Sequence, residues 1–287
     1  MTDEAAAYSA RHAEQALLVE TNGSLVLERY GAGHDAARAH ALYSGTKSFW
    51  GVCAVAAQED GILSLDEPVA HTIESWRDDP QKARVTLRML LDLTSGFAFG
   101  GLGSAVPTYD KALATPLRDE PGTTFTYGGI PLQVFGAVLA RKLAGRGLAP
   151  HAYLHERILD PLGVAVAAWR SLKDGSRPLP TGASLAARAW LAYGRFLLRR
   201  RAPDGTEIVR PASLGRCFAG SAVNPRYGLG FWLHATADGT VPYASGSGGQ
   251  ALYVLPHAQT VVVRFAGGGS YKHDAFLARL LRGGTAG

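Results

Sequence analysis

Apolar and polar positions alternate in short runs near both ends of the chain and recur at helical spacing between them. QALLVETNGSLVLERYG, from Gln15 to Gly31, carries two apolar runs on either side of Asn22-Gly23. That dipeptide tolerates positive φ at both of its positions, which predicts a β-hairpin. From Ser44 to Asp60 the residues Phe49, Val52, Cys53, Ala56 and Ala57 fall on one helical face, and Gly61 ends the run. Val85 to Gly96 predicts a second helix, with Thr86 as N-cap and Gly96 as the stop, followed by a glycine-rich loop from Phe97 to Pro107. Pro131 to Gly145 predicts an amphipathic helix opened by a proline and closed by a glycine. HAYLHERILDPLG, from His151, reads as another helix, and Gly182 to Arg200 as the longest.

The pattern changes in the last third. YGLGFWLHATADG, GGQALYVLP and QTVVVRFAGG read as short strands, with turns at Asp238-Gly239, Pro256-His257 and Gly267-Gly268. DAFLARLLRG, Asp274 to Gly283, closes the chain as a helix. Strands at both ends with helices between them predict an α+β fold: one antiparallel sheet built from both termini, flanked by helices, with an inserted mostly helical lobe. Residues 1–70 and 205–287 would form the sheet lobe and 71–204 the inserted lobe, with the active site in the cleft between them. Neither βαβ alternation nor an internal repeat is visible, which disfavours a Rossmann sheet and a solenoid.

Composition narrows the class. The 287 residues are 47% hydrophobic and 18% charged, enough for one large core or two lobes sharing one. No run of 18 apolar residues occurs, so no membrane span is predicted. MTDEAAAYSARHAEQ has neither a basic n-region nor an apolar h-region and does not read as a signal peptide. The chain therefore reads as cytoplasmic as it stands, or as periplasmic or secreted if a leader has been removed. Cys53, inside a helix, and Cys217, among polar residues, read as free thiols. A net charge of +5 raises nucleic-acid binding. The densest basic run, Arg199-Arg200-Arg201, has no interleaved aromatic residues and precedes an Asp204-Gly205 turn. It reads as a helix end, and no nucleic-acid partner is predicted.

The candidate chemistry lies at the mouth of the first long helix. Ser44 and Lys47 are three residues apart, about 300° of turn and about 4.5 Å of rise, so their tips can meet. A serine hydroxyl is a weak nucleophile until a base takes its proton. A lysine becomes such a base when burial disfavours its charge, and the positive end of a helix dipole acts in the same direction. The pair suits an acyl-transfer site. The plain reading is a serine cap and an exposed lysine, and Thr108-Tyr-Asp-Lys111 shows that the spacing recurs. Tyr127, in PGTTFTYGG, could complete a proton relay or be a packed aromatic. In ASGSGGQALYVLP a glycine-rich edge precedes a strand, where backbone N–H groups could approach a ligand as an oxyanion hole requires.

Other chemistries have less support. There is no Gly-x-Ser-x-Gly elbow, no P-loop and no His-Glu-x-x-His. His151 and His155 stand four apart without an intervening glutamate or a third ligand nearby, so they read as a solvated helix face. Neither a metal nor a cofactor is predicted. Trp76, Trp169, Trp190 and Trp232 read individually as core.

The set of motifs resembles the serine β-lactamase/penicillin-binding-protein superfamily, whose first motif is Ser-x-x-Lys. It is most similar to the class C β-lactamase-like branch, which includes family VIII carboxylesterases and 6-aminohexanoate-dimer hydrolases. YSGTKSFWG, AQEDGILSLDEPV, VTLRMLLDLTSGF, PGTTFTYGG, LDPLG, YGLGFWL and GGQALYVLP carry the resemblance, in order, over roughly residues 40 to 265. The resemblance implies Ser44 as nucleophile, Lys47 as its base and Tyr127 as acid/base partner. It also implies an oxyanion hole from the Ser44 N–H and a strand edge around Gly246, Ser247 and Gly248. Two motifs depart from the family pattern. Tyr-x-Asn is here Tyr127-Gly128-Gly129, and the Lys-Thr-Gly or His-x-Gly region reads Ser245-Gly246-Ser247-Gly248 without a cation. The expected function is a serine hydrolase of small esters or amides. The alternatives are a β-lactamase or DD-peptidase, or a non-catalytic binding member of the same fold. Oligomeric state is left open.

Overall fold

The computed structural model describes residues 2–282. Thr2 caps the first helix, α1 (Asp3–Ala10), accepting from the Ala5 N–H. The predicted hairpin follows as β1 (Glu14–Thr21) and β2 (Ser24–Tyr30), with Asn22 and Gly23 both at positive φ. A short β3 (Ala39–Ala41) leads through a 3₁₀ turn, Tyr43–Thr46, into α2 (Lys47–Glu59). The middle of the chain forms α3 (Leu87–Leu91), α4 (Tyr109–Ala114), α5 (Ile130–Leu143), α6 (Pro150–Leu154), β4 (Ala168–Trp169), β5 (Ala183–Ala186), α7 (Ala187–Arg199) and α8 (Pro211–Arg216). Then come β6 (Trp232–Thr236), β7 (Gly239–Gly246), β8 (Gln250–Leu255), β9 (Thr260–Ala266) and α9 (His273–Leu281). The expected end of the last helix, Gly283, lies outside the described residues.

The main sheet has the order β2-β1-β9-β8-β7-β6, and all of its pairings are antiparallel. The two ends of the chain meet where Leu18 pairs with Val263. The α+β expectation, with one sheet built from both termini, holds. β9 is buried along its whole length because both faces of the sheet are covered, which is why VVVRFA reads as a continuous apolar run. Alternate residues serve opposite layers. Leu18 and Val263 join the large core beneath α7 and α2, and Leu17, Val19 and Val262 pack with Phe276 and Leu277 of α9 and Ala5 of α1. A second sheet, β3-β5-β4, lies beside the entrance to α2.

Several elements differ from expectation for local reasons. α2 is buried all round from Lys47 to Ala57, with no polar face, because it runs through the centre of the core. α3 has its predicted Thr86 cap but ends at Leu91 instead of continuing toward Gly96. Asp92 accepts hydrogen bonds from the Thr94 N–H and hydroxyl, and Leu93 turns left-handed, so side-chain bonding displaces the next helical turn. The expected helix from His151 is α6 followed by a single π turn, His155–Leu159. The first residues after Gly182 form β5, because they pair with β3 and β4; the helix starts at Ala187. β7 was not predicted, since Pro242 interrupts its strand signal. Cys217 is fully buried, not set among polar groups, and burial pushes both thiols up. Arg199 ends α7 and reaches Glu20 on β1, as does Arg195, while Arg200 adopts the left-handed cap conformation. α7 falls within the stretch expected for the inserted lobe, and it packs on β9 and β8 of the sheet.

Candidate active site

Ser44 sits in the 3₁₀ turn, not in the helix proper, and the tighter turn follows a residue, Tyr43, held at φ 48°. A tyrosine there stores backbone strain of about 1–3 kcal/mol. The turn leaves Ser44 half-buried at the edge of an open cleft of about 630 Å³. Lys47, on the first turn of α2, is 1% exposed. Its Nζ lies 3.1 Å from Ser44 Oγ and 3.3 Å from the Pro180 carbonyl oxygen. Among the described residues no carboxylate pairs with it, and burial lowers its pKa to about 7. Lys111 of the second, chance spacing is exposed.

Tyr127 closes the other side. The Lys47 ammonium position is 4.7 Å from its ring centroid. Burial raises the Tyr127 phenol pKa, and the neighbouring Ser44 hydroxyl partly offsets that rise. Trp232 stacks on Tyr127 with centroids 5.5 Å apart and an interplanar angle of 21°. Trp232 lines the cleft, against the core reading; Trp76 and Trp190 are buried as expected, and Trp169 is half-buried.

The glycine-rich edge is brought to the same place. Gly246 ends β7 and Ser247 follows it, and both line the cleft with Ser44. A Cβ on Gly246 would stand 2.1 Å from the Leu42 carbonyl oxygen, so only glycine lets β7 approach the Ser44 turn this closely. Gly248 faces away, into a neighbouring cavity of about 490 Å³ shared with Gln15, His40 and Tyr43. The structure therefore brings together Ser44, Lys47, Tyr127, Gly246 and Ser247, and separates Gly248 from them. It places Ser245 of the third-motif region in the cleft as well, and it adds cleft residues that sequence reasoning missed: Asn224, Arg226, Tyr243 and His273. They come from loops, a strand and the start of α9, whose spacing carried no chemical signal.

His151 and His155 are not a solvated face. His151 is 6% exposed, edge-on to Trp50 and Trp169, and burial pushes its pKa to about 3. His155 approaches Asp160 at 3.2 Å. Among the described residues, no cluster of three or more His, Cys, Asp or Glu could hold a metal ion. No helix of the described residues is long and apolar enough to cross a membrane.

A half-buried serine on a buried lysine, beside a tyrosine and the end of a strand of an antiparallel sheet, is an arrangement that can be compared with known proteins. The beta-lactamase family model matches residues 5–284. The chain belongs to the beta-lactamase family. Lovastatin esterase from Penicillium rubens is 28% identical over 153 residues, covering 43% of this chain and 37% of that protein. The chain thus matches well under half the length of that relative. A solved candidate beta-lactamase from Bacteroides dorei superposes with a TM-score of 0.80 at 20% identity, covering 96% of both chains. A candidate 6-aminohexanoate-dimer hydrolase from Bacillus anthracis does so with a TM-score of 0.80 at 18% identity, covering 96% of this chain and 79% of that one. These two likenesses establish the beta-lactamase fold.

The backbone leaves no room for a side chain at the third position of Tyr127-Gly128-Gly129. The Gly129 N–H donates to the Gly100 carbonyl at 2.8 Å. A Cβ on Gly129 would lie 1.9 Å from the Gly101 carbonyl oxygen. The glycine-rich loop from Phe97 thus occupies the space that an amide side chain would need.

Proposed function

We propose that this chain is a serine hydrolase that cleaves a small ester or amide through an acyl-enzyme on Ser44. The observation that carries the reading is Lys47: buried, without an anionic partner among the described residues, 3.1 Å from the hydroxyl it would activate, and with its pKa lowered to about 7. A neutral amine has two N–H donors and one lone pair. Donation to the Pro180 carbonyl fixes one N–H and leaves the lone pair to take the Ser44 proton. Ser44 Oγ then attacks the substrate carbonyl. Tyr127, beside both groups, protonates the leaving oxygen or nitrogen. The backbone N–H of Ser44 and the Gly246–Ser247 edge receive the developing oxyanion, in a cleft between the sheet and the helical segment of residues 71–204. Water then releases the acid and regenerates Ser44.

Steric occupation at Gly129 and the absence of a lysine or histidine at Ser245–Gly248 disfavour penicillin-like or peptidoglycan substrates. The names of the esterase and amide-hydrolase relatives accord with the ester or amide reading. The test is p-nitrophenol release from a short-chain p-nitrophenyl ester by wild type and by Ser44→Ala, beside a chromogenic cephalosporin. Ester turnover that vanishes in Ser44→Ala and exceeds cephalosporin turnover is expected. Faster cephalosporin turnover would return the chain to the β-lactamase alternative. A fluorophosphonate that does not label wild-type Ser44 would leave a binding protein.

A further inference from the structure

A row of polar groups runs from the cleft along the α9 face of the sheet into the apolar layer there. Ser245 Oγ lies 2.8 Å from His273 Nε2, His273 Nδ1 lies 2.7 Å from Tyr253 Oη, and Tyr253 Oη lies 2.8 Å from Tyr271 Oη. Ser245 and His273 line the cleft that contains Ser44, whereas Tyr253 and Tyr271 belong to the apolar layer beneath α9 and α1. The reaction proposed for Ser44 uses none of the four.

Three hydrogen bonds join four groups, and each group carries one mobile proton while His273 is neutral. Burial keeps the ring neutral, lowering its pKa to about 4; Arg264 acts in the same direction and Asp274 against it. Tyr243, Tyr253 and Tyr271 complete its surroundings. The row can be ordered in two directions, and a third pattern in which Nδ1–H and Tyr271 both donate to Tyr253 strands the fully buried Tyr253 proton. In the first, Ser245 donates to Nε2, Nδ1–H donates to Tyr253, and Tyr253 donates to Tyr271. The Tyr271 proton is then left over, yet Tyr271 is buried and among the described residues its hydroxyl has no second partner. A buried donor without an acceptor is costly. In the second direction Tyr271 donates to Tyr253, Tyr253 donates to Nδ1, and Nε2–H donates to Ser245. The spare proton then belongs to Ser245, at the open cleft, where water or substrate can accept it.

We propose that the Tyr271–Tyr253–His273 row fixes Ser245 as a hydrogen-bond donor toward bound substrate, so that this wall of the cleft favours a substrate atom that accepts. His273 and Tyr253 are positioning residues; Ser245 makes the contact. Asn224 and Arg226, which line the same cleft, add further N–H donors. The substrate class is an ester or amide bearing a second carbonyl oxygen, in preference to one bearing a methylene or an ammonium group at that point. The location of the substrate rests on the Ser44 reading, but the direction of the row does not.

Two measurements separate these dependencies. Nitrogen-15 NMR of the full chain, with His273→Gln to assign the ring signals, reads the tautomer without any substrate. A neutral ring protonated on Nε2 at pH 7 is expected; protonation on Nδ1, or on both nitrogens, overturns the proposal whatever the chain hydrolyses. The second measurement compares p-nitrophenyl hexanoate with its oxo-substituted analogues, the ketone placed at successive carbons. Wild type should favour at least one ketone by about five- to tenfold in KM, the scale of a single hydrogen bond. Ser245→Ala removes the donor itself and should lose that preference, read as the ratio of ketone to hexanoate kcat/KM within the same variant. A preference that survives Ser245→Ala, or one that is absent from an active wild type, overturns the proposal. Absence of ester hydrolysis together with no fluorophosphonate labelling of Ser44 refutes the Ser44 reading instead and leaves the tautomer to decide.

Discussion

Lys47 is the point at which rate and stability should titrate together. The folded chain holds its proton with a pKa of about 7, against the ordinary 10.5. If the neutral amine is the base, ester hydrolysis rises tenfold per pH unit up to about pH 7 and then levels off. At pH 5 the neutral fraction, and hence the rate, is about one hundredth of the plateau. The same lysine acts on folding. The unfolded chain keeps the proton up to about pH 10.5, so between about pH 7 and that value it binds more protons than the folded chain. Stability therefore rises with pH across this window, and the full penalty for burying the cation is present below it. Between pH 6 and pH 9 the gain is about 2.7 kcal/mol. Lys47→Met keeps the apolar stem and removes the titrating group. Urea unfolding of both proteins at pH 6, 7.5 and 9, taken as a difference, isolates Lys47 from other groups. The buried His40, His151 and His273, pushed down to about 4, 3 and 4 from 6.5, add a slope of their own up to about pH 7, which both proteins share and the difference removes. Lys47→Met should be inactive, more stable than wild type at pH 6, and without this pH slope. Parallel stability profiles for the two proteins, or a wild-type rate still climbing toward pH 10, would refute the reasoning.

Further expectations concern the other walls of the cleft. Tyr127→Phe removes the phenol while keeping the ring that stacks on Trp232, and should lower kcat by about 10²–10⁴ with little change in Tm. A kcat within twofold of wild type would remove Tyr127 from the mechanism. Gly129→Asn writes the family motif back but drives a Cβ into the Gly101 carbonyl. It should cost about 3 kcal/mol or more in denaturant unfolding and gain no cephalosporin turnover, whereas a stable variant would show that the loop yields.

Much of this protein was legible because local signals and tertiary demands coincided. Asn22-Gly23 sets a hairpin by itself, since its backbone twist matches that of the strands it joins. Thr86 caps a helix with its own hydroxyl, and the apolar runs of β8 and β9 state that both faces of the sheet are covered. Ser44 and Lys47 were visible for the same reason, as their approach needs only one turn of backbone. Other features depended on partners distant in sequence. The residues after Gly182 have helical composition, yet they form β5 because unpaired strand edges of β3 and β4 lie beside them. Pro242 concealed a strand that pairs on both sides. His151 carries no mark of burial until Trp50 and Trp169 close around it. The lysine's proton affinity is likewise a property of its surroundings, because desolvation depends on what fills the space around Nζ. The row from Ser245 through His273 and Tyr253 to Tyr271 spans 28 positions between its first two members. By itself the sequence determined the short-range turns, the caps, the apolar periodicities and the Ser-x-x-Lys pair. Only the tertiary structure decided which polar groups are dry and which hydroxyl faces the cleft, since hydrogen bonding and dielectric are set by neighbours in space.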